Sequence, residues 1–292
     1  MDFSTPQETQ ALSHQLQAFM DQYVLPYNPA WHHAVATGDY PPAFLGDLKT
    51  LAREAGLWNL FLPELQDHEP GTRLSHSAYA PLAEIMGKLP WAAEVFNCQA
   101  PDSGNMALLH QFGSDAQKQA WLLPLLNGSM RSAFAMTEPD VASSDPTNLQ
   151  TTVRDEGDCL VLNGRKWLIT GAAHPHCQLL LVMCRNQDAA HLGSATSTLD
   201  EHQGSLKHHQ HSIVLVPMQT PGLEIVRNIS VVHHLAPEGH CEIVFRQVRI
   251  PKSSLLGQWG EGFKMSQMRL GPGRVHHCMR TLGQCELALS LA

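Results

Sequence analysis

Residues 134–145 read FAMTEPDVASSD. The stretch opens as a strand at Phe134, Ala135 and Met136. It turns polar at Thr137, with acids at Glu138, Asp140 and Asp145, a proline at 139 and serines at 143 and 144. It holds no glycine. An Asx-rich solvent turn has this composition, and so does an ordered loop delivered to a ligand. The neighbouring sequence decides between the two.

Upstream, the apolar residues fall at helical spacing. Leu12, Leu16, Phe19, Met20, Tyr23 and Val24 mark a helix from about Thr5 to Val24, with Pro6 suited to its first position, and Asn28-Pro29 is expected to break the pattern. Phe44, Leu45, Leu48, Leu51, Ala52 and Ala55 mark a second helix ending at Gly56. Further helices are expected at 77–86, 103–111 and 115–126, the last capped by Ser114 and closed at Asn127-Gly128.

Downstream the period shortens to that of strands: 132–137, 149–154, 159–162, 166–170, 178–185, 212–217, 223–228 and 242–250. Asn163-Gly164 carries the strongest short hairpin signal. Close hairpins without intervening helices predict an antiparallel sheet or barrel, not a Rossmann unit. The polar stretch 186–210 is expected to be a surface excursion. From Gly262 the helical period resumes and still runs at Ala292, which suggests a C-terminally shortened chain. The fold expected is therefore α+β and multidomain. It has a helical domain over 1–128, a β domain over 129–257 and the first helix of a C-terminal helical bundle over 258–292.

The totals exclude several classes. A chain of 292 residues, 43% hydrophobic and 16% charged, is ordinary for a soluble globular protein. The net charge of −8 without a Lys/Arg cluster argues against nucleic acid or an anionic membrane as partner. No apolar run reaches the roughly 18 residues of a membrane span, and no secretory signal opens the chain. Seven scattered cysteines read as reduced thiols in a cytoplasmic protein. The histidines at 174, 176, 208, 209 and 211 lack converging metal-ligand spacing and read as solvated loop residues, so no metal is expected.

Four separated motifs carry a resemblance. The strand ending in Thr137-Glu138-Pro139, the NGRKWLIT segment at 163–170, the strand and turn from Phe245 through Pro251 to Gly257, and the helix following Phe112 resemble the acyl-CoA dehydrogenase family, in the same order. Residues 97–106, 140–145 and 269–280 resemble the branch called family members ten and eleven, associated with long-chain and hydroxylated acyl-CoA substrates.

The resemblance implies FAD as cofactor and α,β-dehydrogenation of an acyl-CoA thioester in fatty-acid β-oxidation. It implies that Phe134, Met136 and Thr137 pack on or bond the isoalloxazine ring, and that Leu168, Ile169 and Thr170 form a second flavin-contacting strand. Ser143 and Ser144 would face the FAD pyrophosphate and the acyl-CoA. Glu138 and Asp140 would shape the turn. Relatives outside the branch often carry a Gly-x-Gly-Ser where 140–143 stand here, so the loop path is expected to differ. Arg274 matches an arginine near CoA, against the alternative of a solvated helical charge.

The catalytic base is unknown: Gly273 stands at one family position, the other lies beyond Ala292, and Glu286 reads as a helix-interior residue. Electron transfer flavoprotein and a homo-oligomer, dimer or tetramer, are implied as partners. Two other readings share the fold: a flavin-dependent oxidase or monooxygenase, and a non-catalytic acyl-CoA-binding paralogue.

Overall fold

A computed structural model describes residues 7–187 and 207–292. The expected Thr5-Pro6 cap lies outside the described residues, as does 188–206 of the polar excursion. The chain divides into two compact units, one of Met1–Gly104 with Leu270–Ala292, the other of Asn105–Arg269.

The first unit is helical. α1 (Gln7–Phe19) passes through a π-helical turn (Met20–Val24) and a 3-10 turn (Leu25–Tyr27) into α2 (Asn28–Thr37). Leu16, Phe19, Met20 and Val24 are buried, as their spacing predicts. Asn28-Pro29 corrects the expectation, because it opens a helix where a break was read. Pro29 sits in the first turn, where its missing N–H removes no helical bond. α3 (Phe44–Glu54) buries Leu45, Leu48 and Ala52, and Gly56 follows at φ +71. α4 (His76–Gly87) is capped by Ser75, whose Oγ accepts from the Ala78 N–H at 3.2 Å.

A last helix, Gly262–Leu291, runs through Pro272 without interruption. Two glycines let it meet α4 backbone to backbone. A Cβ on Gly283 would overlap the Glu84 carbonyl, and one on Gly87 would overlap the Arg280 backbone.

α5 (Asp102–Phe112) carries the chain into the second unit, which continues with α6 (Asp115–Gln117), a π-helical turn (Lys118–Leu122) and α7 (Leu123–Leu126). Ser114 and Gln117 form a reciprocal capping box. The Gln117 amide also donates to the Ser253 and Leu255 carbonyls, 2.8 Å each.

Eight strands follow: β1 (Arg131–Ala135), β2 (Thr152–Asp155), β3 (Cys159–Thr170), β4 (Cys177–Asn186), β5 (His211–Pro217), β6 (Leu223–Asn228), β7 (His240–Pro251) and β8 (Leu255–Leu256). Their order is β6-β7-β3-β2-β4-β5-β8, with β1 beside β4. The sheet is mixed, which corrects the antiparallel reading: β1 and β2 both run parallel to β4. Its core holds Leu160, Leu162, Leu180, Val182, Val214, Ile243, Phe245 and Ile250.

Asn163-Gly164 is not a hairpin. β3 runs straight through it, opposite a bulge in β7 where Gln247 adopts φ +50. The Asn163 Oδ1 accepts from the Gln247 N–H at 2.9 Å, so the dipeptide's turn chemistry serves the bulge. The solvated-histidine reading also fails at two positions: His174 is 4% and His211 0% exposed. All seven cysteines are free thiols. Among the described residues, no helix is long and apolar enough to cross a membrane, and no cluster of three or more metal-ligating side chains forms.

Candidate functional site

Thr137 and Trp167 join the end of β1 to β3. The Trp167 N–H donates to the Thr137 carbonyl at 3.0 Å, and the Thr137 hydroxyl donates to the Trp167 carbonyl at 2.6 Å. β3 carries an extra residue at this point: between Lys166 and Ile169 it advances three residues while β7 advances two. The extra residue forces Leu168 to φ +54, and its side chain is 41% exposed. A left-handed leucine costs on the order of 1 kcal/mol, and here it places an apolar side chain in the open. Bulges of this kind cluster beside functional sites because they re-aim side chains.

Behind the junction lies a buried ion pair. The Lys166 ammonium, fully buried, donates to Glu138 Oε1 and to the Met136 carbonyl, 2.8 Å each. The Glu138 carboxylate also accepts the N–H groups of Gln150 (2.7 Å) and Thr151 (2.9 Å). Burial works against this carboxylate, but the Lys166 charge and the hydrogen bonds outweigh it and hold its pKa below the ordinary value. His211 shares this interior. Burial, then the Lys166 and Arg185 charges, push its pKa down to about 4, so the ring is neutral near pH 7.

Several expected site residues occupy this surface. Phe134 in β1 and Met136 and Thr137 just beyond its end are half-buried, and exposed Leu168 follows Trp167, the residue bonded to Thr137. Thr170 is half-buried and its hydroxyl bonds His240 Nδ1 at 2.9 Å. Ile169 does not face outward. It is 1% exposed and belongs to the sheet core, because the bulge reverses the side-chain alternation after Leu168.

Ser143 is occupied by the loop itself, its hydroxyl accepting the Glu138 N–H at 2.8 Å and lying 3.1 Å from the Glu138 carbonyl. Asp145 likewise accepts the Thr147 N–H at 3.0 Å. These side chains set the path of the glycine-free loop. Ser144 is exposed on that loop, and Arg274 is exposed on the last helix in the other unit. Glu286, on the same helix, is exposed.

Sequence reading missed the supports. Lys166 stands at an inward position of a strand, and a buried cation requires a partner; that parity was the available signal. Arg269 lies over the Phe134 ring, its Cζ 4.1 Å from the centroid. Its Nε–H donates to Asn105 Oδ1 at 3.1 Å, and Asn105 Nδ2 donates to Ser132 Oγ at 2.9 Å. These residues are far apart in sequence, and no local pattern announces them.

The chain matches the acyl-CoA dehydrogenase N-terminal domain over residues 6–129 and the middle domain of the same enzymes over residues 133–248. It is 48% identical to FadE2 of Mycobacterium tuberculosis over 277 residues, covering 94% of this chain and 61% of FadE2. Over 252 residues it is 47% identical to human acyl-CoA dehydrogenase family member 11, covering 86% of this chain and 30% of that protein. The chain thus spans a little less than two thirds of FadE2 and under a third of family member 11. A solved structure from Mycobacterium abscessus, described as an acyl-CoA dehydrogenase, superposes with a TM-score of 0.87 at 44% identity, covering 98% of this chain and 69% of that one. Butyryl-CoA dehydrogenase of Megasphaera elsdenii shares the fold, with a TM-score of 0.73 at 23% identity. The chain belongs to the acyl-CoA dehydrogenase family.

Proposed function

We propose that this chain carries the flavin-side domains of an FAD-dependent acyl-CoA dehydrogenase that oxidises the α,β bond of an acyl-CoA thioester. The observation that carries the reading is the junction of Thr137 with the Trp167-Leu168 bulge, where a strained leucine is exposed beside half-buried Met136. An apolar ledge edged by hydroxyl groups fits one face of a flat heteroaromatic ring. FAD, when bound, supplies the hydride acceptor. Leu168 and Met136 shield the ring from water. The Thr137 hydroxyl, its proton given to the Trp167 carbonyl, presents lone pairs toward a ring N–H.

Ile169 acts from behind as packing. Ser143 holds the loop in place, which leaves Ser144 as that loop's polar group for the CoA-bearing substrate; Arg274, exposed on the last helix, is by resemblance a separate candidate for the CoA moiety. Phe134, with Arg269 stacked on its face, would add to the apolar wall that holds the ring. No catalytic base is assigned to a residue of this chain. Electron transfer flavoprotein as electron acceptor, a homo-oligomeric state and a role in fatty-acid oxidation follow from the family reading.

The test is the visible spectrum of the purified chain with added FAD. The flavin band, shifted and resolved by the protein, is expected. Loss of that band on adding a long-chain or hydroxylated acyl-CoA would extend the reading to catalysis. A protein that leaves the spectrum of free FAD unchanged would overturn it, and immediate reoxidation by air without a carrier would favour an oxidase.

A further inference from the structure

Thr137 and Thr170 both offer a hydroxyl at the proposed flavin site, and the two have different partners. The Thr137 hydroxyl gives its proton to the Trp167 carbonyl at 2.6 Å. A carbonyl oxygen only accepts, so Thr137 keeps lone pairs for a ligand and no proton. The Thr170 hydroxyl instead lies 2.9 Å from Nδ1 of His240. A ring nitrogen accepts in one tautomer and donates in the other. When Nδ1 carries the proton, the Thr170 oxygen accepts it, and the Thr170 proton is left for an acceptor outside the protein's own bonds.

The fold holds this pair in place. Thr170 and His240 face each other across the β3–β7 ladder, and at the next rung the Gly171 N–H donates to the Gly239 carbonyl at 3.1 Å. His240 is also pinned from its other side by β6 and the residue after it. Its N–H donates to Asn228 Oδ1 at 2.6 Å, and its carbonyl accepts the Ile229 N–H at 3.0 Å. Ile169 lies in the core, so Thr170 turns to the opposite face of β3. Among the described residues, the Thr170 hydroxyl is the only group bonded to the His240 ring. No carboxylate there dictates the tautomer, which leaves it to respond to what Thr170 meets.

We propose that His240 is a positioning residue of the flavin site, whose Nδ1–H donates to the Thr170 oxygen and so turns the Thr170 proton toward an acceptor nitrogen of the oxidised flavin. The inference rests on the FAD reading above. The oxidised ring system carries both an N–H donor and unprotonated acceptor atoms. One threonine held as an acceptor by a carbonyl and one held as a donor by a histidine match that mixture, and two threonines of either kind alone do not. Each mismatch would leave a polar atom of the ring facing an identical group, with its hydrogen bond unmade.

The test is a double-mutant cycle read by FAD titration, with melting temperatures alongside. His240→Phe keeps a flat ring and removes the partner nitrogen, and Thr170→Val removes the hydroxyl at nearly constant shape. His240→Phe is expected to weaken FAD binding about three- to tenfold where Thr170 is present, the worth of one aligned hydrogen bond, and to have no further effect in Thr170→Val. His240→Asn, whose side-chain amide can donate to the same oxygen, should recover most of the affinity. Nitrogen NMR of the FAD-loaded chain carrying isotope-labelled histidine gives a second readout. There the His240 Nδ1 signal, assigned by its absence from His240→Asn, should be that of a protonated ring nitrogen. His240→Phe that leaves FAD affinity unchanged, or weakens it equally with and without the Thr170 hydroxyl, would overturn the inference and leave the FAD reading standing. An unprotonated Nδ1 in the loaded chain would do the same. A wild-type chain that binds no FAD would remove both.

Discussion

The β3–β7 ladder is irregular twice, and the two irregularities differ in kind. At Asn163-Gly164, glycine takes φ +151, and its missing Cβ admits Thr151, whose Cα would stand 2.6 Å from one. The Asn163 side chain there satisfies both the backbone and the side chain of Gln247. Five residues on, the extra residue is a leucine at φ +54, its side chain in the open. The first bulge also holds a left-handed residue, Gln247 at φ +50, but that residue is polar and hydrogen-bonded to Asn163, so the bulge closes on itself. The second puts the same backbone strain on a leucine and exposes apolar surface. A fold gains nothing from the second arrangement, so its reason is sought in a ligand.

The largest effect that could break this contrast is expected at the anchor of the second bulge. Lys166→Met should lower stability by about 3–5 kcal/mol, because it strands the Glu138 carboxylate in the interior. Adding Glu138→Leu should restore much of the loss in urea denaturation. Glu138 itself has a folded pKa below its ordinary 4.5. Its contribution is therefore complete above pH 4.5 and lost as the pH falls below it. Glu138→Gln should remove that acid limb.

At the first bulge, Gly164→Ala should cost roughly 2–3 kcal/mol through overlap with Thr151 and an unfavourable φ. Chemical denaturation gives this directly.

A smaller effect concerns histidines. The pKa of His211 is about 4 and that of His276 about 3, the latter pushed down by burial and then by Arg280. Both lie below the ordinary 6.5, so the unfolded chain takes up protons first and stability falls as the pH drops below 6.5. His211→Asn should flatten about half of that slope between roughly pH 6.5 and 5, a window above the Glu138 titration.

The smallest effect has the opposite sign. Leu168→Gly should leave folding unchanged or up to about 1 kcal/mol more stable, because glycine relieves the left-handed strain. Thermal denaturation would show it.

Much of this architecture was legible. Helical spacing located α3 and α4, Ser114 announced its cap, and the ends of β6 fell where read. Errors arose where one residue type serves two structures. Pro29 both breaks helices and begins them, and Asn-Gly makes turns and also bulge partners. The parallel β1–β4 pairing joins Arg131 to Cys177 across a long excursion, which local periodicity does not report. At the site, the motifs pointed to Met136, Thr137 and Leu168, of which the first two are half-buried and the third is exposed. The burial of Ile169 was not legible because the bulge shifts parity by one residue. The Arg269–Asn105–Ser132 ladder was invisible because it is wholly tertiary.

The central claim is that the Trp167-Leu168 bulge exists for the flavin. It is tested most directly by titrating FAD into the wild-type chain and Leu168→Gly, with melting temperatures measured alongside. The account predicts that the glycine variant melts no lower than wild type yet binds FAD at least about tenfold more weakly, since a leucine buried by the ring contributes roughly 1.5–2 kcal/mol. Equal FAD affinity in the two proteins would contradict it.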